Sequence, residues 1–310
     1  MNDDFLQRLA SSDSTVRRIA VLDLADSGDD DGTLLLAALC DSAPEVRVEA
    51  ARALEGYDEP DIVGALVAAL RDDDRAVREA AAHSLSELKD PAAAAQLLPH
   101  AADPDPFVCV SVLRSLRELR VAASFGPAMA ALRAGDALVR REAVTVLGYL
   151  KNADAAAALG ALVQGDPEPE VRRSAAGALG FAAGGAALQA LQTGLHDAAW
   201  QVREEAATTL GKLHAHDAAP ELIATLADPY WQVRLRAARS LGRLRHRPAL
   251  PALVGALSHQ ISNLRKEAAL ALGEIGDAAA LPALLQQESD ADPEVRKAVR
   301  LALGQIQHAA

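Results

Sequence analysis

Apolar residues along this 310-residue chain recur with two superposed periods. The short period is helical. Within residues 217–244, Leu222, Ile223 and Leu226 share one face, and the turn Ala-Asp-Pro-Tyr-Trp follows. Then Val233, Ala237, Leu241 and Leu244 fall at offsets 0, 4, 8 and 11, one face of a 3.6-residue period. The pattern predicts a pair of antiparallel helices. The long period is the spacing of a Val-Arg pair, at Val16-Arg17, Val46-Arg47, Val77-Arg78, Val139-Arg140, Val171-Arg172, Val202-Arg203, Val233-Arg234 and Val295-Arg296. Val108-Cys109 and Leu264-Arg265 fill the two gaps, and successive spacings run from 30 to 32 residues. A fixed period in this range is the mark of a stacked repeat architecture. The expected fold is therefore an all-α solenoid of about ten two-helix repeats of about 31 residues, with residues 1–310 as a single domain.

The non-apolar positions that repeat with this period explain themselves as scaffolding. Pro44, Pro106, Pro169 and Pro293 stand two residues before the Val, in the first helical turn where a missing N–H costs nothing. Gly148, Gly180, Gly211, Gly242, Gly273 and Gly304 lie at offset 9, inside the second helix. A glycine there costs about 1 kcal/mol against alanine, which close approach of a neighbouring helix can offset. An Asp five residues before the Val (Asp41, Asp72, Asp103, Asp166, Asp197, Asp228 and Asp290) is placed to cap the second helix and to meet an Arg of an adjacent repeat. Three departures stand out. Cys109 replaces the Arg in repeat four, Ala134 the Asp in repeat five, and His259 the Asp in repeat nine.

Units such as Asp-Pro-Glu-Pro-Glu-Val-Arg-Arg-Ser-Ala-Ala-Gly-Ala-Leu-Gly, ending at Gly180, and the matching stretches ending at Gly242 and Gly304 resemble the HEAT-repeat family. Within it they are similar to the short-repeat subtype named after phycobilisome lyases. The resemblance implies a right-handed superhelix whose second helices line the concave side. It also brings in members of diverse activity, among them bilin lyase subunits, deoxyhypusine hydroxylases, DNA-base glycosylases and many scaffolds.

Composition narrows the functional classes. Net charge is −12, which opposes binding to a phosphate backbone over the whole surface. No apolar run is long enough to cross a membrane, and the opening Met-Asn-Asp-Asp-Phe-Leu lacks the order of a signal peptide, so a soluble cytosolic protein is expected. Cys40 and Cys109 lie in different repeats and are expected to be buried free thiols. The charge is unevenly spread. The first 61 residues carry fifteen acids and five bases, including the acidic loop within residues 26–32. Between Asp228 and Glu267 there are eight basic residues and no acid.

If offsets 0, 4, 8 and 11 are buried, offsets 3, 6 and 10 point away from the core, on the side the resemblance makes concave. Arg236, Arg239 and Arg243 fill these offsets in repeat eight. Such a stripe suits carboxylate or phosphate clusters, or else is a solvated face. The offset-10 row also carries Tyr149, Phe181 and Lys212. The two rings are either an exposed apolar spot or covers over neighbouring turns. Trp200, Tyr230 and Trp231 lie beside the basic window in sequence, as an anchor for a partner or as a cap over the seam between repeats.

Catalytic chemistry is not assembled by the sequence. None of the eight histidines is followed by Glu, so the His-Glu pairs from which the related hydroxylases build their di-iron site are missing. His196-Asp197 and His214-Ala215-His216-Asp217 offer no closed metal set, and no phosphate-binding glycine loop occurs. The expectation is a protein-interaction scaffold without cofactor or metal. It binds a protein partner carrying an acidic segment through Arg236, Arg239, Arg243, Trp200, Tyr230, Trp231, Tyr149, Phe181 and Lys212. The alternatives are an enzyme or accessory subunit of bilin lyase type holding a tetrapyrrole or substrate protein, and nucleic-acid binding through the local basic patch.

Overall fold

The computed structural model describes residues 2–27, 32–182 and 184–309, with the side chains of 2–5 and 309 left aside. The acidic run at 28–31 lies outside the described residues. Among the described residues there is no strand, and the helices pair into ten hairpins. The chain divides into two compact units, Met1–Leu150 and Lys151–Ala310, which hold repeats one to five and six to ten.

In each unit the second helix of every hairpin packs beside the second helix of the next, and the repeated apolar positions form the core. Repeat eight shows the rule. Val233, Ala237 and Leu241 are fully buried and Leu244 nearly so, and Ala238, Ser240 and Gly242 are buried as well, which leaves only the remaining face of Trp231–Arg243 for solvent. Small residues bring the helices close. A methyl group added to Gly211, Gly242 or Gly273 would lie 2.9, 2.8 or 2.7 Å from the Cα of Ser240, Ala271 or Ala302 on the next helix. The glycines therefore remain inside helices because nothing larger fits at that crossing. Where two helices approach this tightly, Ser240 also donates its hydroxyl to Ala207 O at 2.7 Å, tying the paired backbones together.

Five of the second helices end in a common way. Twelve positions after the repeated Val or Leu, Arg120, Lys151, His214 and Arg245 take φ of 49–53°, and Gly276 takes 72°. This left-handed residue stops the helix and turns the chain into the short first helix of the following repeat.

The Arg and Asp positions form a ladder along one edge of each stack. Arg47 Nε and Nη2 donate to the two carboxylate oxygens of Asp72 at 2.8 and 2.7 Å, while Nη1 donates to Asp41 O at 2.9 Å and Ser42 O at 3.3 Å. Asp72 Oδ1 also accepts the backbone N–H of Asp74 at 2.8 Å. One guanidinium thus stitches its own turn to the next. Arg17–Asp41 repeats this geometry in the first unit, and Arg172–Asp197, Arg203–Asp228 and Arg265–Asp290 repeat it in the second. The Arg265 bond holds the Asp290 carboxyl below the usual carboxylate range.

Of the two thiols, Cys109 is buried but Cys40 is exposed, against expectation. Cys40 follows the end of a short helix, Gly32–Ala38, in the turn just before ladder residue Asp41, where the chain runs over the surface.

Candidate partner-binding surface

In the second unit, the aromatic residues near the basic window assemble around the ladder. Trp200, at the start of the second helix of repeat seven, stacks on Tyr230 with ring centres 5.5 Å apart and planes 14° from parallel. The ladder residue Arg203 lies 5.6 Å from the centre of the Tyr230 ring. Tyr230 remains 46% exposed. The Tyr230 ring thus lies against both Trp200 and a guanidinium that is itself fixed to Asp228 at 2.6 Å, and stays partly open to solvent. Trp231 is half-buried and meets no other ring among the described residues, so the partner of Trp200 is Tyr230 rather than the second tryptophan.

The arginine stripe of repeat eight is less free than its sequence suggests. Arg236 Nε donates to Glu204 Oε1 at 2.9 Å, and Arg239 grips Glu267 with two bonds of 2.6 and 2.9 Å. The carboxylates come from repeats seven and nine, so a window without acids in sequence is supplied with them in space. Glu274 joins the group from repeat nine. Burial and the nearby Glu267 charge push its carboxyl above the usual range, against the pull of Arg243, Arg239 and Arg245.

Two cations at offset 10 escape this pairing. Arg243 is exposed and has no carboxylate within ion-pair distance among the described residues, while Lys212, also exposed, reaches Glu205 only at 4.0 Å. They end adjacent helices, Trp200–Lys212 and Trp231–Arg243. Trp231 and Arg243 are the first and last residues of one helix, so the aromatic stack and these two cations are separated by roughly 18 Å at 1.5 Å per residue. Phe181 is half-buried in the 3₁₀ turn Leu179–Phe181 of the same unit.

In the first unit, Tyr149 is 41% exposed, with the guanidiniums of Arg117 and Arg120 lying 5.8 and 5.0 Å from its ring centre. Close by in the same helix, buried Glu142 accepts from Arg114 at 3.1 Å and Arg117 at 3.4 Å. This repeats the arrangement of Arg239 and Glu267. In both pairs an Arg at offset 6 meets a Glu at offset 3 of the next repeat, 28 residues on. That spacing is a second rung, readable in the sequence once the repeats are aligned, and missed when charge is counted along the chain.

No group of three or more potential metal ligands occurs among the described residues. His214 and His216 line a small surface hollow with Asp217. No helix among the described residues is long and apolar enough to cross a membrane.

The profile for HEAT repeats matches residues 32–117, 127–211, 158–229 and 219–304, which together span most of the sequence. The chain belongs to the HEAT-repeat family. No curated protein matches the chain in sequence. Among solved structures, an engineered protein is 23% identical over 99% of both chains, with a TM-score of 0.54. YibA of Escherichia coli is 20% identical over 94% of this chain and 97% of its own, also at 0.54. Kap95p, solved with RanGDP, reaches 0.71 at 15% identity over 99% of this HEAT-repeat chain, which spans half the length of Kap95p. At such identities the likeness is one of fold: an all-α solenoid of HEAT repeats.

Proposed function

We propose that this HEAT-repeat protein is an interaction scaffold whose second unit binds a protein partner. The observation that carries the proposal is the Trp200–Tyr230 stack, an exposed ring held in a fixed pose in a chain with only nine aromatic residues. A rigid aromatic platform loses little freedom on binding, which is why such residues concentrate the energy of interfaces. Kap95p, to which the fold is similar, is a protein solved with a protein partner, and this supports the same class of role here.

The partner carries an acidic segment, and the residues offered to it are Lys212 and Arg243 at one end of the paired helices and Trp200 and Tyr230 at the other. Arg236 and Arg239 contribute less, because Glu204 and Glu267 already engage them. Trp231, Phe181 and, in the first unit, Tyr149 are secondary contacts on this reading. On this reading the repeats are of the short subtype that the sequence resembles.

The test is affinity capture of partners on wild-type protein, on Trp200→Ala/Tyr230→Ala and on Lys212→Glu/Arg243→Glu, with circular dichroism confirming each fold. Loss of the same partners from both variants is expected. Retention of every partner by both variants would overturn the proposal.

A further inference from the structure

The ladder is interrupted between repeats four and five, and both halves of the rung are missing together. Cys109 stands where the Arg would be and Ala134 where its Asp would be. The space between them is a cavity of about 300 Å³. Its walls include Cys109, Ala134, Pro104 and Val139, with Asp103 and Asp136 as the acidic members and exposed Arg133 as the basic one.

Intact rungs show what this space holds elsewhere. Arg172 places Nη1 2.7 Å from Asp166 O and 3.1 Å from Pro167 O, and Arg47, Arg203, Arg265 and Arg296 each reach the same two register positions. In repeat four those positions are Asp103 and Pro104, both on the cavity wall. Cys109 reaches neither carbonyl, since its thiol donates to Ala101 O at 3.2 Å. The acceptors of a ladder arginine are thus kept while the arginine is not.

We propose that this cavity binds a guanidinium group from outside the chain, seated as a ladder arginine is seated, between the turns of repeats four and five. The size is sufficient, because a cavity of about 150 Å³ accepts benzene, which is larger than a guanidinium. Chemistry selects the cation. Backbone carbonyls only accept hydrogen bonds, and in the intact rungs one guanidinium nitrogen, Nη1, serves both of them. The flat, weakly hydrated remainder of the group suits the apolar walls of Ala134, Pro104 and Val139 better than a strongly hydrated ammonium does. The local field favours it too. Burial raises the Cys109 thiol above its ordinary pKa, and the charges of Asp103 and Asp136 raise it further, so the walls disfavour an anion. Arg133 opposes this field from an exposed position, Arg140 opposes it from Ala134 O and Gly135 O, to which its Nη1 donates at 2.9 Å, and Arg71 and His100 approach the Asp103 carboxylate, so the carbonyls and Asp136 are the principal attraction.

The guanidinium can come from a free metabolite of arginine type or from an arginine side chain of a partner, and titrations separate the two. Backbone amide resonances of residues 101–109 and 130–139 are followed with methylguanidinium, L-arginine, N-acetyl-Gly-Arg-Gly-amide, methylammonium and N-methylurea. Saturable shifts are expected with methylguanidinium, with dissociation constants on the order of millimolar. They should be weaker with methylammonium and N-methylurea. A stronger response to L-arginine than to the peptide assigns a metabolite, and the reverse assigns a partner side chain. Ala134→Asp restores the missing carboxylate and should tighten methylguanidinium about tenfold. Cys109→Arg fills the site from within and should abolish the shifts. The proposal is overturned if methylguanidinium leaves these resonances unmoved, if N-methylurea shifts them equally, or if Ala134→Asp binds no better than wild type.

Discussion

Arg234 and His259 stand at the ladder register where Arg203 meets the carboxylate of Asp228, near enough for the arginine's charge to act on the imidazole. The histidine keeps half of the aspartate's role. Its Nδ1 accepts the backbone N–H of Ile261 at 3.1 Å, as Asp228 accepts that of Tyr230 at 2.8 Å. It cannot supply the ion pair, and Arg234 Nε is buried without a hydrogen-bond partner.

A pH dependence follows from this substitution. Burial, then the charges of Arg234 and Arg265, hold the His259 pKa below its ordinary value. The folded state therefore binds its proton less readily than the unfolded chain, and stability that is present above the ordinary histidine range of about 6.5 is lost as pH falls through the folded value. Protonation also removes the lone pair that accepts from Ile261. Urea midpoints measured at pH 7.5 and 5.5 should fall more for wild type than for His259→Asp, which rebuilds the rung. Equal falls would show that His259 carries none of the effect.

The regular rungs differ in how many ends they tie. Arg203 joins two carboxylate oxygens and two carbonyls, whereas Arg296 is bonded only to Asp290 O and Ala291 O. Arg203→Ala strands a largely buried Asp228 and is expected to cost about 3 kcal/mol in chemical denaturation. Arg296→Ala should cost distinctly less. Arg203→Lys keeps the charge but loses the fork, and should recover only part of the deficit.

Glycines at one register need not be equivalent. Gly242→Ala places a methyl 2.8 Å from Ala271 Cα, a backbone atom that cannot turn aside, and should destabilise by about 1–3 kcal/mol. Gly304 has nothing within 4 Å of the corresponding position. Gly304→Ala should instead raise stability by about 1 kcal/mol through helix propensity. Thermal or urea unfolding of the two variants distinguishes crowding from backbone freedom.

The pairing of Arg239 with Glu267 bears on the proposed acidic partner. Glu267→Gln weakens two charged hydrogen bonds and leaves Arg239 available, so overall stability should fall while affinity for an acidic peptide rises several-fold. Calorimetric titration of a poly-glutamate peptide into wild type and Glu267→Gln measures the change. An unchanged or lower affinity would remove Arg239 from the binding surface.

These relationships mark where sequence reading succeeds. The Val, Asp and Arg positions recur at one spacing because each is used once per hairpin, so their ladder could be foreseen from any two repeats. The state of the arginine stripe could not be read locally, since Glu204 and Glu267 lie 32 and 28 residues away from the arginines they hold. The Trp200–Tyr230 stack was hidden for a similar reason: the more obvious match of Trp200 with Trp231 compares equal offsets, and neighbouring repeats touch at unequal ones. Cys109 and Ala134 looked like two separate irregularities. They are opposite ends of one rung, and only their shared cavity joins them.

The ladder also sets a rule for how such a chain can change length. Because the arginines of the intact rungs bind their own turn and the next one alike, a whole hairpin bounded by such rungs can be duplicated or excised with both new neighbours still matched. An insertion of a few residues would disturb the rung it interrupts, while every later arginine and aspartate would shift together and stay paired. Growth by duplication is therefore quantised, and the spacings of 30–32 residues are the width of one permitted step.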